Sequence, residues 1–184
     1  MKKIIWIVIA IVAILAISLV STYNGLVTAR AQVEESFANI DAQLQRRADL
    51  IPNLVETVKG ITEQEKAIID AVTSARENYL NANTNNEKIA AGSELSTALS
   101  NLLVVVENYP QITSGANFIA LQDELAGTEN RIAQARKTYN ETVKEYNTSI
   151  RKFPRNILAG MFGFESMEYF ETAPENKAAP KVEF

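Results

Sequence analysis

The sequence predicts an all-α protein: an N-terminal transmembrane helix followed by a long antiparallel helical bundle of four helices, two of them long. Three observations carry this. A charge-free apolar block, Ile4 to Val20, opens the chain. Two apolar seams of equal length, 26–61 and 118–153, repeat in alternating steps of three and four, the spacing of one helix face. No stretch shows the alternation of a half-buried strand.

Ile4–Val20 has seventeen residues with only Ser18 polar. At 1.5 Å per residue it covers about 26 Å, close to the hydrocarbon thickness of a bilayer, about 30 Å. Ser21 and Thr22 extend the span to residues 4–22, and Trp6 and Tyr23 suit the two interfaces. The run is longer than the apolar part of a signal peptide, and Leu19 and Val20 stand where a cleavage site needs small residues, so it reads as an uncleaved anchor. Residues 1–3 form a short cytoplasmic N-terminus, because Lys2 and Lys3 precede the span and the first basic residue after it is Arg30. The expected location is the inner cell membrane, single-pass, with the bulk of the chain extracytoplasmic.

The first seam runs Leu26, Arg30, Val33, Phe37, Ile40, Leu44, Arg47, Ile51, Leu54, Val58 and Ile61. Pro52 falls inside it. Proline removes one helical hydrogen bond, so a kink is expected there, with Asp49 as an internal cap. Gly60 offers a stop, and Thr62 with Glu65 fits a capping box for a second helix bearing Ile68, Ile69, Val72, Ala75, Tyr79 and Leu80. The polar run 81–86 reads as a turn. A third helix follows over 87–108, with Ile89, Leu95, Leu99, Leu102, Val105 and Val106 on its apolar side, closed by Pro110. Its β-branched stretch 104–106 would suit a strand, but its place at the end of a helical pattern favours helix. The fourth helix starts near Ser114 or Gly115, and its seam is Phe118, Leu121, Leu125, Thr128, Ile132, Ala135, Tyr139, Val143, Tyr146, Ile150 and Phe153. Residues 23–153 thus make the bundle. Residues 154–172 are an apolar and aromatic segment that lies at the membrane surface or caps the bundle. Residues 173–184 have the composition of a disordered tail.

Two arginines stand on the first seam. Either they reach past their neighbours to water, or they belong to a buried polar layer. Pairing Leu26 with Phe153 sets Arg47 opposite Ile132, within a turn of Glu129, and Arg30 near Glu145. A buried Arg–Glu pair fixes register more than it adds stability.

The residues also resemble a known family. The stretch Asn39-Ile-Asp-Ala-Gln-Leu-Gln-Arg-Arg-Ala-Asp-Leu-Ile-Pro-Asn-Leu-Val-Glu-Thr-Val-Lys-Gly60 resembles the signature of the bacterial LemA family. Further similarity lies in Tyr109-Pro110, Asn117-Phe118, Leu121-Gln122, Thr128-Glu129, Ile132-Ala133, Arg136, Tyr139-Asn140, Tyr146-Asn147 and Phe153-Pro154. The resemblance implies a single-span membrane protein with an antiparallel helical domain. It brings no activity, cofactor or functional residue with it.

Composition narrows function by exclusion. The 184 residues include no cysteine and no histidine, which removes disulfides, thiol chemistry, and the commonest general base and metal ligand. A net charge of −4 gives no basic face for nucleic acid. There is no phosphate loop, and the carboxylates are scattered rather than spaced for calcium. Two glycosylation sequons, at Asn140 and Asn147, fall inside a helical pattern and are discounted. No catalytic, cofactor-binding or metal residues are assigned, and no cofactor is expected. The reading is a scaffold or adaptor of the cell envelope, not an enzyme. Its partners would be the lipid bilayer through residues 4–22 and unidentified envelope proteins. No nucleic acid is involved, and a homo-oligomer stays open. The alternative is a cryptic envelope enzyme that works with carboxylates and tyrosine, Glu129 being a candidate.

Overall fold

The computed structural model describes residues 2–61 and 65–170. Among these residues it is helical throughout, with no strand. The described residues form six helices where the sequence led to an anchor and four. The anchor and the first long helix are a single element, α1 (Lys2–Thr57). Then come α2 (Lys66–Asn81), α3 (Asn85–Val106), a one-turn α4 (Pro110–Thr113), α5 (Ala116–Arg151) and α6 (Arg155–Phe162). Pro110 does not merely close α3. It stands at the first position of α4, where a missing N–H costs nothing. The short helices α4 and α6 are too brief to show a period.

The chain divides into two compact units. Unit 1 holds the residues up to 36 and residues 137–169; unit 2 holds the described residues from 37 to 136, with Phe170.

In unit 1, Ile4 to Val20 turn their side chains outward and pack against nothing, which is the state of a helix whose solvent is lipid. This is a membrane protein. Beyond the anchor, Leu26, Val33, Tyr139, Val143, Tyr146 and Ile150 are buried, as the seams require. Arg30 is not. It lies on the surface and pairs with Glu34 one turn on, at 3.1 Å. An exposed partner on its own helix spares the cation the desolvation that an inward position would impose. Phe153 also departs from its seam and is almost fully exposed. α5 stops at Arg151, and the residue before Pro154 is disfavoured in helical geometry. The Phe153–Pro154 bond is cis.

In unit 2, Phe37, Ile40, Leu44, Ile51 and Leu54 of α1 meet Val72 and Ala75 of α2, Leu95, Leu99, Leu102 and Val106 of α3, and Phe118, Leu125 and Ile132 of α5 in the core. α2 runs antiparallel to α1: Arg76 reaches Ala48, and Tyr79 reaches Asp41. α3 runs along with α1, Lys88 meeting Asp41 and Gly92 meeting Arg47. α3 is long and apolar enough to cross a membrane, but its Leu95, Leu102 and Val106 side is buried in unit 2. The cap of α3 was read only as a turn. Thr84 accepts from the Glu87 N–H, and the Glu87 carboxylate accepts from the N–H groups of Thr84 and Asn83. These bonds hold the Glu87 carboxyl below its ordinary range. The box expected at Thr62 lies outside the described residues, as does the tail 173–184. Glu65, at the start of α2, makes no side-chain cap.

Pro52 sits inside α1, four residues after Ala48. Having no N–H, it leaves the buried Ala48 carbonyl without its helical donor. Arg76 of α2 supplies one: its Nε donates to that oxygen at 2.9 Å. The side chain of Asp49 is not the cap expected there, since it accepts from Gln45 at 3.0 Å.

Candidate functional site

The polar groups inside unit 2 converge on Arg47. Its place on the α1 seam turns it into the core, where it is the largest fully buried side chain, 2 % exposed. Three oxygens receive its guanidinium. Nη1 donates to Glu129 of α5 at 2.7 Å and to Ser96 of α3 at 2.8 Å, and Nη2 donates to the Gly92 carbonyl at 2.8 Å. A helical carbonyl is open to such a bond only where the helix comes close. Gly92 allows that: a Cβ there would stand 3.1 Å from Leu44. Ser96 also donates back to the Gly92 carbonyl at 3.0 Å.

The pair is lopsided. The Glu129 side chain is 50 % exposed, so water shares its charge, while Arg47 is sealed. Burial pushes the acidity of Arg47 toward the neutral form, and Glu129 opposes this. Arg136 is affected in the same way, by burial first, and its guanidinium carbon stands over the Phe170 ring, 4.4 Å from the centroid. Beyond this layer, Asp41 accepts from the Tyr79 hydroxyl at 2.7 Å and from Lys88 at 2.5 Å. Burial and the bond to Asp41 raise the Tyr79 phenol above its ordinary range. On the surface Glu124 joins Arg46 and Arg131. Chemically the layer is a set of fixed charges, each acid holding a cation or a hydroxyl.

A second constellation lies in unit 1. Three α5 side chains hold the backbone of the segment after α6. Tyr146 donates to the Glu165 carbonyl at 2.9 Å, and Tyr139 to the Glu168 carbonyl at 3.0 Å. Asn147 takes both groups of Met167, donating to its carbonyl at 2.8 Å and accepting from its N–H at 2.9 Å. Burial raises the pKa values of both tyrosines.

Residues 36–184 match the LemA family. The chain belongs to the LemA family. It is 29 % identical, over 91 % of its own length and 71 % of theirs, to the magnetosome proteins MamQ 1 and MamQ 2 of Paramagnetospirillum magneticum. To magnetosome protein MamQ of Magnetospirillum gryphiswaldense it is 25 % identical, over 85 % of this chain and 67 % of that one.

The LemA-like stretch 39–60 turns out to supply Asp41, Arg47, Ala48 and Pro52, four of the positions around which the unit 2 network is built. Thr128-Glu129 supplies the acid that meets Arg47, as the seam register led one to expect. Tyr139 and Tyr146-Asn147 supply the clamp on the segment after α6. That clamp was missed, because its partners are main-chain groups and carry no sequence signal. Arg30 and Glu145 are not brought together by a hydrogen bond or ion pair; the partner of Arg30 is Glu34.

Proposed function

We propose that this LemA-family protein is a single-pass scaffold or adaptor of the cell envelope. Residues 4–22 cross the cell membrane once, Lys2 and Lys3 stay in the cytoplasm, and the helical units face the other side and bind envelope proteins. One observation supports this above the rest: the two acids of the unit 2 polar layer, Glu129 and Asp41, are each held by a cation. Glu129 holds Arg47, and Asp41 holds Tyr79 and Lys88, where an enzyme would keep an acid open toward a substrate. Such a core serves rigidity and register and leaves recognition to the outside.

Two experiments test the two halves. Alkaline phosphatase fused to the C-terminus is active only outside the cytoplasm, and an active fusion is expected. A stable but inactive fusion overturns the topology and leaves the scaffold reading standing. For the scaffold, photoreactive residues replace Val104 and Ile119, two exposed apolar positions of unit 2, in intact cells. Discrete adducts with envelope proteins are expected at one or both. Val12 in the anchor is the control, giving lipid adducts. If Val12 crosslinks and neither unit 2 position gives a protein adduct, the scaffold reading fails.

A further inference from the structure

Unit 1 carries an apolar face that the protein itself leaves open. Phe153 and Met161 are 82 % and 71 % exposed, and Ile157 and Phe162 are also exposed. In α6, Leu158 and Ala159 turn inward, while Ile157 and Met161, one turn apart, share the outward side. A contiguous patch of large apolar groups on a folded surface marks something it meets.

Its position identifies the occupant. The Phe162 ring meets the Tyr23 ring edge-on with centroids 4.9 Å apart, and the Phe164 ring meets it at 5.9 Å. Tyr23 is three residues past Val20, the last of the apolar run, so it stands about 5 Å further along α1. The run itself, at about 26 Å, falls about 4 Å short of a hydrocarbon core of about 30 Å. With Ile4 at one boundary, the other falls close to Tyr23, and so at the level of Phe162. The charge pattern agrees. From Arg151 to Phe164 there are three cations, Arg151, Lys152 and Arg155, and no acid. Lys152 and Arg155 line an open groove with Ser149, which accepts from Arg155 at 2.7 Å. Glu141 and Glu145 line the same groove on the side away from α6 in sequence, and Glu165 and Glu168 follow the segment, so its insertion is shallow.

We propose that α6, with Phe153 before it, is a lipid-interface element. Its exposed apolar side enters the edge of the hydrocarbon core beside the anchor, and Arg151, Lys152 and Arg155 bind the phosphates of anionic headgroups. It makes up the short span of α1 with a second apolar element at the same depth, as aromatic belts do. The proposal rests on the anchor and is independent of the scaffold reading.

The chain has no cysteine, so Met161→Cys creates one labelling site at an exposed position in the full-length protein. A nitroxide there is read in vesicles of phosphatidylcholine, with and without phosphatidylglycerol. Collisions with oxygen, which dissolves in lipid, are compared with collisions with a water-soluble nickel chelate. The expected result is a several-fold preference for oxygen, as at a Val12→Cys control, and the reverse at Val104→Cys. Adding phosphatidylglycerol should deepen the label, and R151Q with K152Q and R155Q should abolish that deepening. A Met161 label that behaves like the Val104 label overturns the proposal. So does spin–spin broadening that disappears on dilution with unlabelled protein, which would mean that a second copy covers the face. A depth that ignores phosphatidylglycerol overturns the headgroup half.

Discussion

Arg47→Ala is expected to destabilise the helical domain by about 3–5 kcal/mol, the range for breaking a buried ion pair from one side. Two losses combine. The guanidinium bonds to Glu129, Ser96 and Gly92 vanish, and the largest fully buried side chain leaves a cavity between α1, α3 and α5. Glu129→Ala should cost a comparable amount, about 3–5 kcal/mol, since it strands the sealed Arg47 cation without its counter-ion. Replacing Arg47 by Met and Glu129 by Leu together should recover much of the loss, because no charge is then left stranded. The measurement is the denaturant midpoint of the detergent-solubilised protein followed by circular dichroism. An Arg47→Ala midpoint equal to wild type would show that the polar layer contributes nothing.

Pro52 and Arg76 should prove strongly coupled. In the wild type, Arg76→Ala leaves the buried Ala48 carbonyl with no donor and should cost about 1–3 kcal/mol, the penalty for an orphaned buried polar group. In a Pro52→Ala background the new N–H at position 52 points at that same oxygen. Arg76 then becomes dispensable, and its removal should cost under about 1 kcal/mol. Pro52→Ala alone should stabilise, since an interior proline is unfavourable by about 3 kcal/mol before Arg76 offsets part of it. A double-mutant cycle measures the coupling. If the two changes are additive, Arg76 is not standing in for the missing N–H.

The parts of this fold that can be read from the sequence are those where burial repeats. Val33, Phe37, Ile40 and Leu44 step by four and three and are all buried, and so are Leu125, Thr128 and Ile132. The register between the seams follows from their lengths, which is why Arg47 could be set near Glu129. The pattern fails where a local alternative competes. Arg30 has the right spacing, but Glu34 offers it a partner in water. Phe153 has it too, but Pro154 ends the helix. Thr84 looked like a turn residue because a cap is built from turn residues. The bonds from Arg76 to Ala48 and from Asn147 to Met167 could not be foreseen at all. In each, one partner is a peptide group, and peptide groups are the same at every position.

That anonymity has a consequence for the clamp in unit 1. Tyr139, Tyr146 and Asn147 hold main-chain atoms of Glu165, Met167 and Glu168, while the side chains of Glu165 and Ser166 are exposed. The route of the segment is thereby separated from its lettering. Substitution along its outer side can change charge, bulk or affinity without loosening the path, provided proline does not replace Met167, whose N–H is used. A lineage could re-dress this edge for a new neighbour while three α5 residues keep it in place.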